Sequence, residues 1–88
     1  MMFSNKESLL KIVIDSTVKE IAQYQEEIVN LEEQLNYLYF CLNNKVYGNL
    51  RAKRQIKKKI KSLKIEIRNY ILIIRHNQKS LIKVLMED

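Results

Sequence analysis

Two stretches of sequence decide the fold: residues 28–35, IVNLEEQL, and residues 60–67, IKSLKIEI. Both place apolar residues at their first, fourth and eighth positions, and the pattern repeats every seven residues along each half of the chain. This spacing puts the apolar residues on one side of an α-helix, in the two core positions of a heptad repeat. The sequence therefore predicts two long amphipathic helices.

The same repeat runs through most of each half of the chain. The core positions of the first half form two series, Ile14, Ile21, Ile28, Leu35 and Leu42 in the first and Leu10, Thr17, Tyr24, Leu31 and Leu38 in the second. Those of the second half also form two series, Ile60, Ile67, Ile74 and Leu81 in the first and Ile56, Leu63, Tyr70, Asn77 and Val84 in the second. The alternative is that Ile12–Ile14 and Tyr70–Ile74, where β-branched residues gather, form β-strands. Neither run alternates cleanly and both lie inside the repeat, so we favour helices.

Small and polar residues mark the turn between the helices. The chain has no Pro and one Gly, and the residues that favour turns gather where the two repeats meet: Asn43, Asn44, Gly48 and Asn49. Near the N-terminus, Ser4 followed by Glu7 fits a capping box, which starts a helix. We therefore predict one helical-hairpin domain over residues 1–88, with helix one over about 5–43, the turn over about 44–49 and helix two over about 50–86.

Folding the chain back at the turn gives a register that the sequence can test. Facing core positions then have numbers that sum to about 95, which pairs apolar with apolar: Leu35 with Ile60, Leu31 with Leu63, Ile28 with Ile67, Ile21 with Ile74 and Ile14 with Leu81. Tyr24 falls opposite Tyr70, and the polar Thr17 falls opposite the polar Asn77. A buried polar group costs free energy unless it is hydrogen-bonded, so we expect this polar layer to fix the register at some cost in stability.

The chain has more apolar residues than a two-helix seam can bury, since the seam uses two positions per heptad. The surplus is densest where residues 9–18 lie beside residues 70–85, at the end of the hairpin away from the turn. An exposed apolar patch favours association. We therefore predict that a long antiparallel two-helix coiled-coil hairpin homodimerises into a four-helix bundle, with larger oligomers or an apolar groove for a different protein as alternatives. The residues assigned to this interface are Val13, Val18, Ile71, Leu72, Ile73 and Leu85.

The two halves of the chain carry opposite charge. Residues 1–44 have three basic and seven acidic side chains, a net charge of −4, and residues 45–88 have thirteen and three, a net charge of +10, which together give the +6 of the chain. Eight basic residues fall within fourteen positions at the start of the second helix, and we call them the basic cluster: Arg51, Lys53, Arg54, Lys57, Lys58, Lys59, Lys61 and Lys64. This density fits contact with successive phosphates of a nucleic acid or with an acidic protein. A solvated helix face in a chain rich in Lys, Ile and Asn gives the same pattern.

Aromatic residues accompany the basic cluster at the turn. We assign Tyr39, Phe40 and Tyr47 as partner contacts there. Aromatic rings can stack on nucleic-acid bases, or they can pack over the open end of a helical turn. The aromatic residues therefore leave both a nucleic-acid partner and a protein partner open.

Residues with catalytic or metal-binding chemistry are few and scattered. His76 stands alone with Arg75 beside it, and Cys41 has no second cysteine for a disulfide or a metal site. The adjacent pairs Glu26–Glu27 and Glu32–Glu33 point in different directions on a helix and come without a Glu-x-x-His motif. No glycine-rich phosphate loop or nucleophile elbow occurs. We predict no enzyme activity, no cofactor, no metal site and no small-molecule substrate.

Hydropathy indicates where the protein is located. The longest uncharged stretch, Gln34–Asn44, has eleven residues, whereas a helix needs roughly 20 to cross a bilayer. Leu9–Ile14 is the apolar run nearest the N-terminus, and Lys11 interrupts it, which argues against a signal peptide. We expect no membrane insertion and an intracellular, cytoplasmic protein.

These observations favour a non-enzymatic protein that binds other macromolecules. Our leading hypothesis is a small adaptor or inhibitor, of the kind that small mobile-element genes encode, which docks on a protein through its basic helix and apolar surface. The alternatives are a nucleic-acid-binding regulator that uses the face from Arg51 to Lys64 and a structural coiled-coil assembly protein. In architecture alone, without a shared motif, the hairpin resembles plasmid RNA-binding hairpin regulators.

Overall fold

The computed structural model describes residues 5–86, and the side chains of residues 7–86. Within this range the chain forms two long α-helices, α1 over Asn5–Asn43 and α2 over Leu50–Met86, and no β-strand. The helices pack side by side into an elongated hairpin of 71 × 19 × 15 Å. The prediction of an all-helical hairpin is confirmed. The predicted capping box depends on Ser4, which lies outside the described residues.

Backbone hydrogen bonds of the Schellman type close the end of α1. The Val46 N–H donates to the Cys41 carbonyl oxygen at 2.8 Å, and the Lys45 N–H donates to the Leu42 carbonyl oxygen at 3.4 Å. Lys45 has a φ of 55°, the left-handed conformation that this motif uses and that costs a residue with a Cβ roughly 1–2 kcal/mol. These bonds satisfy carbonyl groups that a helix end otherwise leaves without a donor. The chain can therefore reverse direction immediately after α1.

Asn49 caps the start of α2. Its side-chain oxygen accepts a hydrogen bond from the Ala52 N–H at 2.8 Å, which satisfies one of the backbone donors left free at a helix N-terminus. Gly48, immediately before it, has a φ of 76°, a conformation that residues with a Cβ rarely adopt. Gly48 and Asn49 together set the direction in which α2 returns along α1.

Replacing Asn49 with Ala is expected to lower the free energy of unfolding by about 0.5–2 kcal/mol, because the cap of α2 is lost. Asn49→Ser is the matched control, since a serine hydroxyl can cap the helix in the same way. Urea unfolding followed by circular dichroism measures both variants. Equal losses in the two variants would contradict the capping role.

The core of the hairpin is a row of apolar side chains between the two helices. The buried residues of the described chain are Leu31, Cys41, Ile60, Leu63 and Ile74. Four of them occupy predicted core positions, and the fifth, Cys41, directly precedes one. Cys41 lies at the end of α1, where its carbonyl oxygen accepts a hydrogen bond from the Val46 N–H of the turn. It is a core residue that the heptad repeat does not indicate.

The two tyrosines of the seam show the predicted register. The rings of Tyr24 and Tyr70 lie 5.5 Å apart between their centroids, at an interplanar angle of 37°, which is within the range of aromatic contact. The Tyr24 hydroxyl donates to a carboxylate oxygen of Glu20 at 3.3 Å. Burial, followed by this hydrogen bond, raises the pKa of Tyr24. The hydroxyl therefore stays protonated at neutral pH.

The polar layer of the seam is half-buried. Thr17 and Asn77 both have intermediate exposure, and the register places them opposite each other. Within the described residues, the side-chain nitrogen of Asn77 is buried and has no hydrogen-bond partner. A buried donor without a partner costs about 1–3 kcal/mol. This layer therefore reduces the stability of the seam.

Candidate binding surface

The basic cluster occupies the first part of α2, next to the turn. Seven of its eight side chains are exposed, and Lys53 is half-buried. Lys53 lies over the ring of Tyr47, with its Nζ 5.6 Å from the ring centroid, and Lys64 lies over Tyr39 at 5.4 Å. Within residues 7–86, no acidic side chain forms an ion pair with the cluster. The cluster therefore presents its positive charge at the surface.

The position of the cluster at a helix N-terminus strengthens its field. The first turn of α2 includes Arg51 and contains no acidic residue. The N-terminal end of a helix carries the positive end of the helix dipole, where anions are attracted and cations are unfavourable. The residues at this end therefore work against helix stability and favour an anionic ligand.

The aromatic residues predicted as partner contacts differ in exposure. Tyr39 and Tyr47 are half-buried, and each ring contacts a lysine of the same chain. Phe40 is 58% exposed, and the exposed Val46 and Leu50 lie in the same part of the molecule. These three apolar side chains and the basic cluster together form what we call the turn-end surface.

Sequence reasoning missed the apolar residues Val46 and Leu50 because neither occupies a core position. They lie in and directly after the turn, where apolar residues have no partner helix to contact. An apolar residue in a turn, between two strongly amphipathic helices, is the signal that identifies such a position.

A shallow groove of about 390 Å³ lies beside the basic cluster, lined by Glu33, Gln34, Tyr37, Leu38 and Lys59. Tyr37 is exposed, and a side-chain hydrogen bond with Cys41 raises its pKa. The tyrosine therefore adds no negative charge at neutral pH. The groove holds one carboxylate and one ammonium group, so its lining has no net charge to attract a polyanion.

The hairpin has two long flanks, one on either side of the seam. Residues that directly follow a core residue of either series lie on one flank, and residues two positions after the second series lie at its outer edge. On this flank Lys64 of α2 contacts Tyr39 of α1. Residues that directly precede the first core series lie on the other flank, where Gln34 and Lys59 line the groove. We call these the charged flank and the groove flank.

The charged flank of α2 carries a long stripe of basic residues. Most of these exposed cations recur at spacings of three or four, which keeps them on one side of the helix: Arg54, Lys57, Lys61, Lys64, Arg68, Arg75 and Lys79. Ile71 and Leu72, which are also exposed, interrupt the stripe. From Arg54 to Lys79 the stripe follows about 38 Å of helix at 1.5 Å per residue. Positive charge therefore extends along α2 beyond the basic cluster.

The residues predicted for the oligomer interface are all exposed, from 37% at Ile71 to 61% at Leu85. Four of them lie on the charged flank: Val18, Ile71, Leu72 and Leu85. The other two, Val13 and Ile73, precede core residues of the first series and lie on the groove flank. A partner that covers one flank therefore leaves part of the predicted set uncovered.

The remaining reactive groups lie apart from one another. His76 is exposed on α2, and Cys41 is buried near the turn as a free thiol. Within residues 5–86, no group of three or more His, Cys, Asp or Glu residues is arranged to hold a metal ion.

Neither described helix has an apolar stretch long enough to span a lipid bilayer. Comparison of the chain with protein-family models, with curated proteins and with solved structures finds no match.

Proposed function

We propose that this chain is a small non-enzymatic adaptor or inhibitor that docks on an acidic protein through its turn-end surface. The observation that carries the proposal is the combination of unpaired cations with the exposed apolar side chains Phe40, Val46 and Leu50 at one end of the hairpin. An acidic protein can match both features. Its carboxylates pair with the cations, and its apolar side chains cover the three exposed ones.

The apolar component of the turn-end surface favours a protein partner over a nucleic acid. Phosphates bind cations with release of counterions, but they offer no apolar surface to cover aliphatic side chains such as Val46 and Leu50. Tyr39 and Tyr47, which have the rings to stack on bases, are half-buried against lysines of their own chain. The surface therefore has more of the features of a protein-docking site.

Nucleic acid is the second candidate partner, and the stripe of cations along α2 favours it. A stripe of about 38 Å can contact several phosphates along one side of a duplex, because each strand carries one phosphate per roughly 3.4 Å of duplex axis. Affinity for a nucleic acid would depend on charge and would fall steeply as salt rises. The apolar residues of the turn would then contribute little.

We further propose that the hairpin forms a homodimer in which four helices pack into one coiled-coil bundle in the cytoplasm. The apolar residues left uncovered at the end away from the turn support this proposal, since Leu72 and Leu85 are 51% and 61% exposed. Covering such side chains contributes roughly 25 cal/mol for each Å² of apolar surface removed from water. A thin two-helix core gains stability from this contact.

Binding of two fluorescent probes, an acidic amphipathic peptide and a DNA duplex, tests the docking proposal. The variant Lys57→Ala, Lys58→Ala, Lys61→Ala should weaken binding of the peptide by about tenfold or more, because three cations of the basic cluster are lost. A matched variant removes the same charge from the other end of the hairpin: Lys11→Ala, Lys19→Ala and Lys83→Ala. This control should bind the peptide nearly as well as the original chain. Fluorescence anisotropy across a salt series measures each affinity.

A second variant, Phe40→Ala with Leu50→Ala, separates the two partner classes. It should weaken binding of the peptide and leave binding of the duplex unchanged, because only the peptide has apolar side chains to contact. If the chain binds the duplex more tightly than the peptide, and the two substitutions leave that affinity unchanged, the partner is a nucleic acid and the protein-docking proposal is wrong. Equal losses from the two lysine variants would show that net charge alone drives binding and would overturn the docking site.

A further inference from the structure

We propose that a second copy of the chain covers the charged flank at the open end of the hairpin, the end away from the turn. In this arrangement α1 of one copy lies antiparallel on α2 of the other, and both turns point to the same pole of the dimer. The inference rests on the self-association part of the proposed function, and it specifies which surfaces meet and in which direction.

The charged flank of α2 is both apolar and basic at the open end. Ile71 and Leu72 are 37% and 51% exposed, and the exposed Arg68 and Arg75 lie on either side of them along the helix. A partner for this surface needs apolar side chains in its centre and carboxylates at its edges. An acidic amphipathic helix has this chemistry.

The charged flank of α1 has the complementary composition. Val18 and Val29 are 51% and 53% exposed, and the exposed carboxylates Asp15 and Glu26 lie near them along the helix. The half of the chain that contains α1 has a net charge of −4, and the half that contains α2 has +10. Each chain therefore carries both members of a complementary pair of surfaces, one on each helix.

The register of the hairpin determines which residues meet across the dimer. A two-fold axis along the rod places α1 of one copy over α2 of the other at the same level. The numbers of two residues that face each other across the dimer therefore again sum to about 95. Three pairs then face each other: Asp15 with Lys79, Ala22 with Leu72, and Glu26 with Arg68. Each carboxylate meets a cation, and the small alanine meets the large leucine. The charges and the sizes of the side chains therefore agree with one arrangement.

Other symmetric arrangements bring like charges together. A two-fold axis across the rod places α1 on α1 and α2 on α2, so the carboxylates face carboxylates and the cations face cations. Packing through the groove flank places Glu27 of one copy near Glu66 of the other. Like charges opposed across an interface are unfavourable. The distribution of charge therefore selects the charged flank and turns that point the same way.

The proposed contact is confined to the open end, from about Arg68 to Leu85 of α2, and the two rods diverge toward their turns, which leaves the turn-end surface free. From Gln34 to Asn49 the chain has no acidic residue, so a second copy has no carboxylate to place against the start of the basic cluster. The two turn-end surfaces of the dimer then lie at one pole. Self-association at the open end and docking at the turn end are therefore compatible.

Charge reversal tests the arrangement. The variant Asp15→Arg with Glu26→Arg, and separately the variant Arg68→Glu with Lys79→Glu, should each weaken dimerisation by about tenfold or more, because like charges then meet. All four substitutions in one chain restore opposite charges and the original net charge, so the dimer should return. In an α1-on-α1 arrangement the combined variant would remain repulsive. Sedimentation velocity measures the dimer, and circular dichroism verifies that these exposed positions leave the helices intact.

Disulfide trapping gives a second measurement of the same contact. A mixture of one chain with Ala22→Cys and another with Leu72→Cys should form a disulfide between unlike chains under mild oxidation. The native Cys41 is buried, which limits its competition. Disulfides between two Ala22→Cys chains, or a monomer at high micromolar concentration, would overturn the proposal. None of these substitutions changes a residue of the basic cluster. Binding of the acidic peptide therefore reports separately on the docking function.

Discussion

Replacing Leu63 with Ala is expected to lower the free energy of unfolding by about 2–5 kcal/mol. Leu63 is 1% exposed, the least of the described residues, and the register places it opposite the buried Leu31. The substitution removes buried methyl groups and leaves a cavity that two long helices cannot close locally. Because small domains have a total stability of about 5–15 kcal/mol, this change removes a large fraction of it.

Urea unfolding of the Leu63→Ala variant, followed by circular dichroism, measures this loss. Leu50→Ala is the matched control, because it makes the same substitution at a residue that is 70% exposed. We expect the control to change stability by less than about 0.5 kcal/mol. Similar losses from the two variants would mean that Leu63 is not at the centre of the core.

Asn77→Leu is expected to have the opposite effect and to raise the free energy of unfolding by about 1–3 kcal/mol. The variant removes a buried amide nitrogen that has no partner within the described residues and replaces it with an apolar side chain in an apolar seam. For a domain of this size, each kcal/mol corresponds to a rise in Tm of roughly 4–8 °C. Adding Thr17→Leu should raise Tm further, because the whole layer then becomes apolar.

Asn69→Leu serves as the control for this stabilisation. Asn69 is exposed on α2, so its replacement reports the higher helix propensity of leucine without any change in burial. If the polar layer fixes the register, the double variant Thr17→Leu, Asn77→Leu should also assemble less uniformly in sedimentation velocity. A fall in Tm for Asn77→Leu would show that the amide has a partner in the assembled protein.

The helices and most of the core could be predicted because the spacing of apolar residues specifies which side of each helix is buried. Leu31, Ile60 and Leu63 follow directly from the heptad repeat, and all three are buried. Cys41 could not be predicted in this way. It lies outside both core series, at the end of α1 beside the turn, so the heptad repeat does not indicate its burial.

The candidate site was less predictable than the fold. The position of the basic cluster is evident from the sequence, because eight cations in one stretch of helix need no structure to be noticed. Whether a neighbouring ring is free to contact a partner depends on its side-chain contacts in the folded chain, which the sequence does not indicate. Tyr39 and Tyr47 are engaged by Lys64 and Lys53, whereas the adjacent Phe40 is left exposed.

The core pairs along the rod enclose very different lengths of chain. Leu35 and Ile60 are 25 residues apart, whereas Ile14 and Leu81 are 67 residues apart. Because the entropic cost of loop closure rises with the enclosed length, we expect the pairs near the turn to form first and each further pair to form after its neighbour has brought the helices together. The open end is then expected to close last and to fray first. In the proposed dimer, the second chain therefore also stabilises the part of the hairpin that we expect to fold last.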